Sequence, residues 1–384
     1  MFLPGMPFQI FRPGQVPPNN LEGDARKVQS MKTKRTIRVS YPVQSGRLVL
    51  RTEKNWDLNL EADSVAEDGT LYTFTLEADK PFLYFKPCLI RDKQFHWAEG
   101  ANSLALMFEP DLRVGHPHFF AHNQSCFSKL ISFSSPLLGR EHKMQVYLPP
   151  GYHENTLTRY RVIYMHDGQN LFFPEDAFLG QTWDVGTTLG LLDQMNAIDN
   201  FIVVGLHNHP NRMEEYTRPG YETYARSVVE EVKPLIDRTF RTRPDKLSTA
   251  VMGSSLGGVV SFYMAWQYPE TFVAGMCMSS TFTYRDDLLE RVYSEPYRPV
   301  AFYLDSGWPG DNYEVTLSMA SALIHRGWQL GRDVLHLSYP MAAHNEAAWA
   351  TRLHIPCQLF ARSLREFNIQ QHGSLVARVG HGPR

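Results

Sequence analysis

At about Ser128 the chain changes its hydrophobic rhythm, and this change constrains its possible folds more than any other feature. Before that point, Thr36-Ile37-Arg38-Val39-Ser40, Arg47-Leu48-Val49-Leu50-Arg51 and Leu71-Tyr72-Thr73-Phe74-Thr75-Leu76 alternate apolar and polar residues, with turn-rich Gln44-Ser45-Gly46 and Glu67-Asp68-Gly69 between them. Alternation at period two, broken by frequent turns, predicts strands buried on one face, as in an antiparallel β-sandwich. After that point, apolar runs at Val162–Met165, Ile202–Leu206, Thr249–Met252, Ala274–Met278, Val300–Leu304 and Val334–Tyr339 alternate with helix-like segments at Tyr224–Phe240, Gly257–Tyr268 and Asn312–Arg326. In those segments apolar residues recur every three or four positions, and the last stops at Gly327, where a helix end favours glycine. Strands that are apolar throughout are buried on both faces, so this half is expected to be a mostly parallel sheet covered by helices on both sides.

The chain of 384 residues is too long for one small domain. The expected division is an N-terminal arm over 1–20, a β-sandwich of immunoglobulin type over 21–125, an α/β domain over 126–368, and a disordered tail over 369–384. Lys and Arg number 38 against 40 Asp and Glu, a net charge of −2, which gives nucleic acid or an anionic membrane no electrostatic hold. Cys88, Cys126, Cys277 and Cys357 are scattered with no Cys-x-x-Cys pair, and no long apolar stretch reads as a membrane span. A cytoplasmic chain with reduced thiols fits these features, and no secretory signal is read at Met1–Gln15.

The chemistry centres on Gly253-Ser254-Ser255-Leu256-Gly257-Gly258, placed where an apolar strand gives way to a helix. A serine on so sharp a turn projects from the sheet edge, its flanking glycines relieve crowding, and the following helix directs its positive end at developing negative charge. The serine needs a base. Of the histidines after Ser255, His325 falls in a helix, His336 in a strand, and His372 and His381 in the tail. His344 follows the strand Val334–Tyr339, at the C-terminal strand end where functional groups collect in open α/β sheets. The orienting acid is expected after the strand Val300–Leu304, as Asp311 or Asp305. Asp311 is favoured, and the structural alternative for it is a helix cap.

An oxyanion hole needs two backbone N–H groups: one from Leu256, the other from Gln169 or Gly168 in the loop after Tyr164-Met165. His166 and Asp167 are adjacent on an extended chain and therefore point apart, so they are read as shaping that loop. His207-Asn208-His209 lacks a suitably spaced third metal ligand. Trp183, Trp308 and Trp349 are candidate substrate-binding walls.

Taken in order, Tyr147-Leu148-Pro149-Pro150-Gly151-Tyr152, Met165-His166-Asp167-Gly168-Gln169, Val203-Val204-Gly205, Gly253–Gly258 and His344-Asn345-Glu346-Ala347-Ala348-Trp349 resemble the esterase family of α/β-hydrolases that includes esterase D, enterochelin esterases, feruloyl esterases and mycolyltransferases. The resemblance runs from about Ser128 to Phe367. It implies an α/β-hydrolase fold with a Ser-Asp-His triad, carried here by Ser255, Asp311 and His344, and it implies a β-sandwich before the hydrolase domain, as in enterochelin esterases; Asn55-Trp56-Asp57 and Phe85-Lys86-Pro87 also resemble starch-binding sandwich modules. The expected activity is hydrolysis of a small-molecule carboxylic ester, of siderophore-lactone or feruloyl type, through an acyl-enzyme and without metal or cofactor. Alternatives are an acyltransferase with the same triad and a non-catalytic carbohydrate-binding protein.

Overall fold

The computed structural model describes residues 33–107, 114–122 and 124–361. The expected arm over 1–20 and tail over 369–384 lie outside the described residues. Among the described residues, nine strands open the fold: β1 Thr33–Ser40, β2 Arg47–Thr52, β3 Asn55–Leu60, β4 Ser64–Val65, β5 Leu71–Ala78, β6 Phe82–Arg91, β7 Gln94–Trp97, β8 Ser103–Leu106 and β9 Val114–Gly115. They form two sheets, one ordered β4-β5-β1-β9, the other β3-β2-β6-β7 with β8 on β6. In β1 and β5 the buried residues alternate as the sequence predicted, and Ile37, Val39, Phe74 and Leu76 meet Leu48, Leu50, Leu83 and Leu89 of the other sheet in one apolar cluster. That shared cluster makes the two sheets one packed unit.

The second unit is a sheet of nine strands among the described residues. Three of its strands lead into the parallel part: β10 Cys126–Phe127, β11 Ile131–Ser135 and β12 Arg140–Leu148. β12 pairs antiparallel with β14 Phe201–Leu206, and the order then runs through β13 Arg161–His166, β15 Thr249–Ser254, β16 Ala274–Met278, β17 Ala301–Trp308 and β18 Val334–Pro340, all parallel. Successive residues of each strand face opposite layers. Val162, Tyr164 and Val251 enter one apolar cluster, while Ile163, Met165, Ala250 and Met252 enter the other.

After the short helix α2 Arg212–Glu215, the first layer is covered by α3 Gly220–Ser227, α5 Leu256–Gln267, α6 Leu288–Ser294 and α7 Tyr313–His325. The second is covered by α1 Val185–Gln194, α8 Glu346–Arg352 and α9 His354–Ala361. The predicted helix Tyr224–Phe240 is split, since α3 passes through a π turn at Val228–Val232 into α4 Lys233–Thr239. Among the described residues, no helix is long and apolar enough to cross a membrane.

The two units are tied together by polar contacts. The Glu154 carboxylate accepts from the Tyr41 hydroxyl at 2.9 Å and from the N–H groups of Phe119 and Phe120 at 2.7 and 2.8 Å. Asn155 Nδ2 donates to the carbonyls of Ser40 and Pro117. Cys88, Cys277 and Cys357 are buried free thiols, and Cys126 is an exposed one.

Candidate active site

Strands β15, β16, β17 and β18 lie side by side, and the candidate residues are gathered beyond their C-terminal ends. Ser255 follows β15 directly and opens α5, with φ 56° and ψ −124°. A non-glycine residue in that region is strained, and the surrounding contacts hold it there: Ser255 N–H donates to Met278 O at the end of β16, while its carbonyl accepts from Gly258 and Val259. The turn closes so tightly that a Cβ on Gly253 would stand 2.5 Å from the carbonyl oxygen of Gly257. Leu256 is the first residue of α5, and the first N–H groups of a helix have no partner within it.

The candidate acid and base meet. His344 Nδ1 lies 2.7 Å from Asp311 Oδ1; the carboxylate is closed to solvent, whereas the imidazole side chain is 32% exposed. Asp311 Oδ1 also accepts from Asn312 N–H at 2.8 Å, and Oδ2 accepts from Ser279 Oγ at 2.5 Å and Gly307 N–H at 2.6 Å. Burial alone would raise this carboxyl's pKa. The hydrogen bonds from His344, Ser279, Gly307 and Asn312 outweigh burial and hold it well below the usual carboxylate range. The loop bearing His344 crosses close over β17, where Met341 N–H bonds Trp308 O and a Cβ on Gly307 would stand 2.0 Å from Ala342 O. Among the described residues, no hydrogen bond joins the Ser255 hydroxyl to His344. Catalytic hydrogen bonds often tighten only once substrate is bound.

Asp305, the other candidate acid, is taken out of the site by its strand. β17 runs on to Trp308, so Asp305 lies inside it, level with Met278 on β16. Fully buried, Asp305 pairs with Arg352, with NH2 at 3.1 Å from Oδ1 and Nε at 3.2 Å from Oδ2, and accepts from the Tyr303 hydroxyl at 2.7 Å. Burial pushes its carboxyl upward, against the opposing pull of Arg352. Nor does the side chain of Asp311 cap α7: the N-cap is Asn312, whose Nδ2 turns instead to Ser279 O.

On the other side of Ser255, Asp167 sits at φ 56° at the head of a short 3-10 turn, Gly168–Asn170. Burial would raise the Asp167 pKa, but Arg212, bidentate at 2.6 and 2.7 Å, and Asn208 at 2.7 Å hold it low. His166 points the other way, toward the Tyr224 hydroxyl. Gln169 Oε1 accepts from Asn208 N–H, and Asn170 Nδ2 reaches Glu346 of α8 at 3.2 Å, so the Gly168–Gln169 loop is pinned to the helix that follows His344. His207 and His209 flank Asn208, and among the described residues no group of three or more His, Cys, Asp or Glu is placed to hold a metal ion.

The tryptophans require a correction. Trp183 and Trp349 are 1% and 5% exposed and pack against each other with ring centroids 5.7 Å apart, beneath the site in the second layer rather than along a wall open to substrate. Trp308 is 50% exposed and remains available to a ligand. Ser279 and Arg352, which touch Asp311 or its neighbours, were missed. Ser279 could have been found by the rule that led to His344, since it directly follows the C-terminal end of β16.

The family described as "Putative esterase" matches residues 135–354, more than half of the chain. The uncharacterized protein YbbA of Bacillus subtilis (strain 168) is 24% identical over 162 residues, 41% of this chain and 63% of that protein, so the match spans less than two thirds of the relative's length. Among solved structures, a ferulic acid esterase superposes with a TM-score of 0.55 at 18% identity, covering 62% of this chain and 98% of that one. The enterobactin esterase of Shigella flexneri superposes with a TM-score of 0.51 at 13% identity, covering 86% and 94%, which extends the likeness beyond the residues of the family match. At such identities the likeness is one of fold, of α/β-hydrolase type. With the family matched over most of the sheet and the motifs lying at the strand ends, this chain belongs to the esterase family.

Proposed function

We propose that the chain hydrolyses carboxylic esters with Ser255 as nucleophile, His344 as general base and Asp311 as the acid that orients it. The observation that carries this reading is the 2.7 Å contact between His344 Nδ1 and the buried Asp311 carboxylate, two strands from a strained serine at the strand-to-helix turn. With Nδ1–H donated to Asp311, the other ring nitrogen, Nε2, is left as the base. It takes the Ser255 proton as Oγ attacks the ester carbonyl carbon. The oxyanion is held by the N–H groups of Leu256 and of Gln169 or Gly168. As the tetrahedral intermediate collapses, the C–O bond to the alcohol breaks and the imidazolium returns its proton to the departing oxygen. Water, deprotonated by His344, then attacks the acyl-enzyme and releases the acid and free Ser255.

The substrate class follows the similar structures, a ferulic acid esterase and an enterobactin esterase: a small feruloyl-type or catecholate ester. The two N-terminal sheets, packed through one apolar cluster, are read as a β-sandwich domain of immunoglobulin or starch-binding type within 21–125 that shapes the entrance, with the hydrolase domain over 126–368. The test is a rate panel of 4-nitrophenyl acetate, feruloyl esters and catecholate esters with the native chain and Ser255→Ala. Hydrolysis that falls by about 10³ or more in the variant is expected. Equal rates for both chains would contradict the reading.

A further inference from the structure

We propose that Ser279 is a positioning residue whose hydroxyl proton is fixed on Asp311 by Arg352 and Trp349, so that the buried Asp305–Arg352 pair holds the acid of the triad in place. This rests on the reading of Asp311 and His344 given above.

The argument is one of donor counting. A serine hydroxyl has one proton to give and two lone pairs to receive. Around Ser279 Oγ stand Trp349 Nε1 at 3.0 Å, Arg352 NH2 at 2.6 Å and Asp311 Oδ2 at 2.5 Å. Indole and guanidinium N–H groups donate only, so they fill both lone pairs. The single proton then has one place to go, the carboxylate. A serine in free rotation could serve a carboxylate or leave it; this one is held in one orientation from behind. Its backbone is held too, at φ 43°, by Ser279 N–H on Asp305 O at 2.8 Å and by Asn312 Nδ2 on Ser279 O at 2.7 Å.

The same arrangement distributes charge. Arg352 NH2 is 3.1 Å from Asp305 Oδ1 and 3.8 Å from Asp311 Oδ2, so one buried cation serves two carboxylates. Among the described residues, the charged and titratable groups facing this cluster include Cys277 from β16, Asp305 and Tyr303 from β17, Tyr339 from β18, Arg352 from α8, and His344. When His344 takes the Ser255 proton, its imidazolium becomes the second cation beside two anions. Ser279 supplies Asp311 with a fourth donor and moderates its negative charge as seen by His344. Without that donor the carboxylate attracts the imidazolium more strongly, and its plane is free to turn.

The experiment measures kcat and KM for 4-nitrophenyl butyrate from pH 5.5 to 9 with the full chain, Ser279→Ala, Ser279→Cys, Asp311→Asn and Ser255→Ala. Ser279→Ala is expected to lose about 10- to 100-fold in kcat with KM changed less than about threefold, and the acidic limb of kcat/KM is expected to move up by about half a pH unit. Ser279→Cys, which keeps a weak donor, is expected to recover part of the kcat. If Ser279→Ala does not fold, Ser279→Cys carries the same test through its lowered kcat and displaced limb. A folded Ser279 variant with wild-type kcat and an unmoved limb, while Asp311→Asn is crippled, overturns the positioning role and leaves the triad standing. Wild-type rates in Asp311→Asn or Ser255→Ala would instead overturn the triad itself.

Discussion

Asp305 and Asp311, six residues apart, face different partners: Asp305 is locked inside β17 against Arg352, and Asp311 turns back beyond the strand end to meet His344 Nδ1 at 2.7 Å. The division of roles follows from where the strand stops. One carboxylate neutralises a buried cation, and the other faces the His344 imidazole.

Exchanging each acid for its amide separates these roles. Asp311→Asn is expected to lower kcat by about 10³ to 10⁴, because the amide presents the wrong hydrogen-bond polarity to the imidazole. Asp305→Asn is expected to cost kcat about tenfold or less, but to destabilise the fold by about 3–5 kcal/mol by leaving Arg352 without its counter-charge. Steady-state kinetics and urea unfolding of the two variants check this. The reverse ranking in kcat would move the acid to Asp305.

The pH dependence of stability has a sign that the buried groups set. His142 and His166 are buried, and burial lowers both to about 3 from an exposed value near 6.5. As pH falls from about 6.5, the unfolded chain binds these two protons and the folded chain does not, so stability is lost at about 1.4 kcal/mol per pH unit for each. Asp286, raised to about 6 by burial, works the other way below that pH by taking a proton in the fold. Burial also lowers His116, His207 and His336 and raises Asp193 and Asp305, so five histidines stand against three aspartates, and the melting temperature is expected to fall between pH 7 and pH 5. A flat or rising melting temperature over that range contradicts it.

The link between the two units depends on Glu154, which receives three donors from the Tyr41 and Phe119–Phe120 side. Glu154→Ala leaves those donors without their acceptor and is expected to cost about 1–3 kcal/mol. A chain shortened to begin near Ser128, if it stays folded, is expected to keep hydrolysing small activated esters while losing selectivity among bulky ones, since remote contacts help to position the transition state. Unchanged kcat/KM across the whole ester panel would separate the N-terminal sheets from the site.

The parallel half of the fold was legible because runs such as Val162–Met165 and Thr249–Met252 are apolar throughout, and the serine turn because its glycine-flanked motif stands where such a strand gives way to a helix. The end of β17 was not. Its apolar run stops at Leu304, yet pairing with β18 continues through Asp305, Ser306 and Gly307 to Trp308, because a backbone ladder does not depend on apolar side chains. β6 breaks the alternation of the other strands, since Pro87, Cys88 and Leu89 are buried in succession. Trp183 and Trp349 were read as pocket walls because indoles serve both purposes, and only their packing partners separate a wall from a support. The network behind Asp311 joins Ser279, Asp305 and Arg352 from three elements, a proximity that exists only once the sheet is assembled.

The central claim is that Ser255 is the nucleophile, and one measurement addresses it most directly. The native chain is treated with a fluorophosphonate, and its intact mass and the site of modification are read by mass spectrometry. One adduct per chain, carried by the peptide containing Ser255, absent from Ser255→Ala and accompanied by complete loss of esterase activity, is the expected result. Equal labelling of the Ser255→Ala variant, or an adduct on another residue with activity lost in step, would contradict the account.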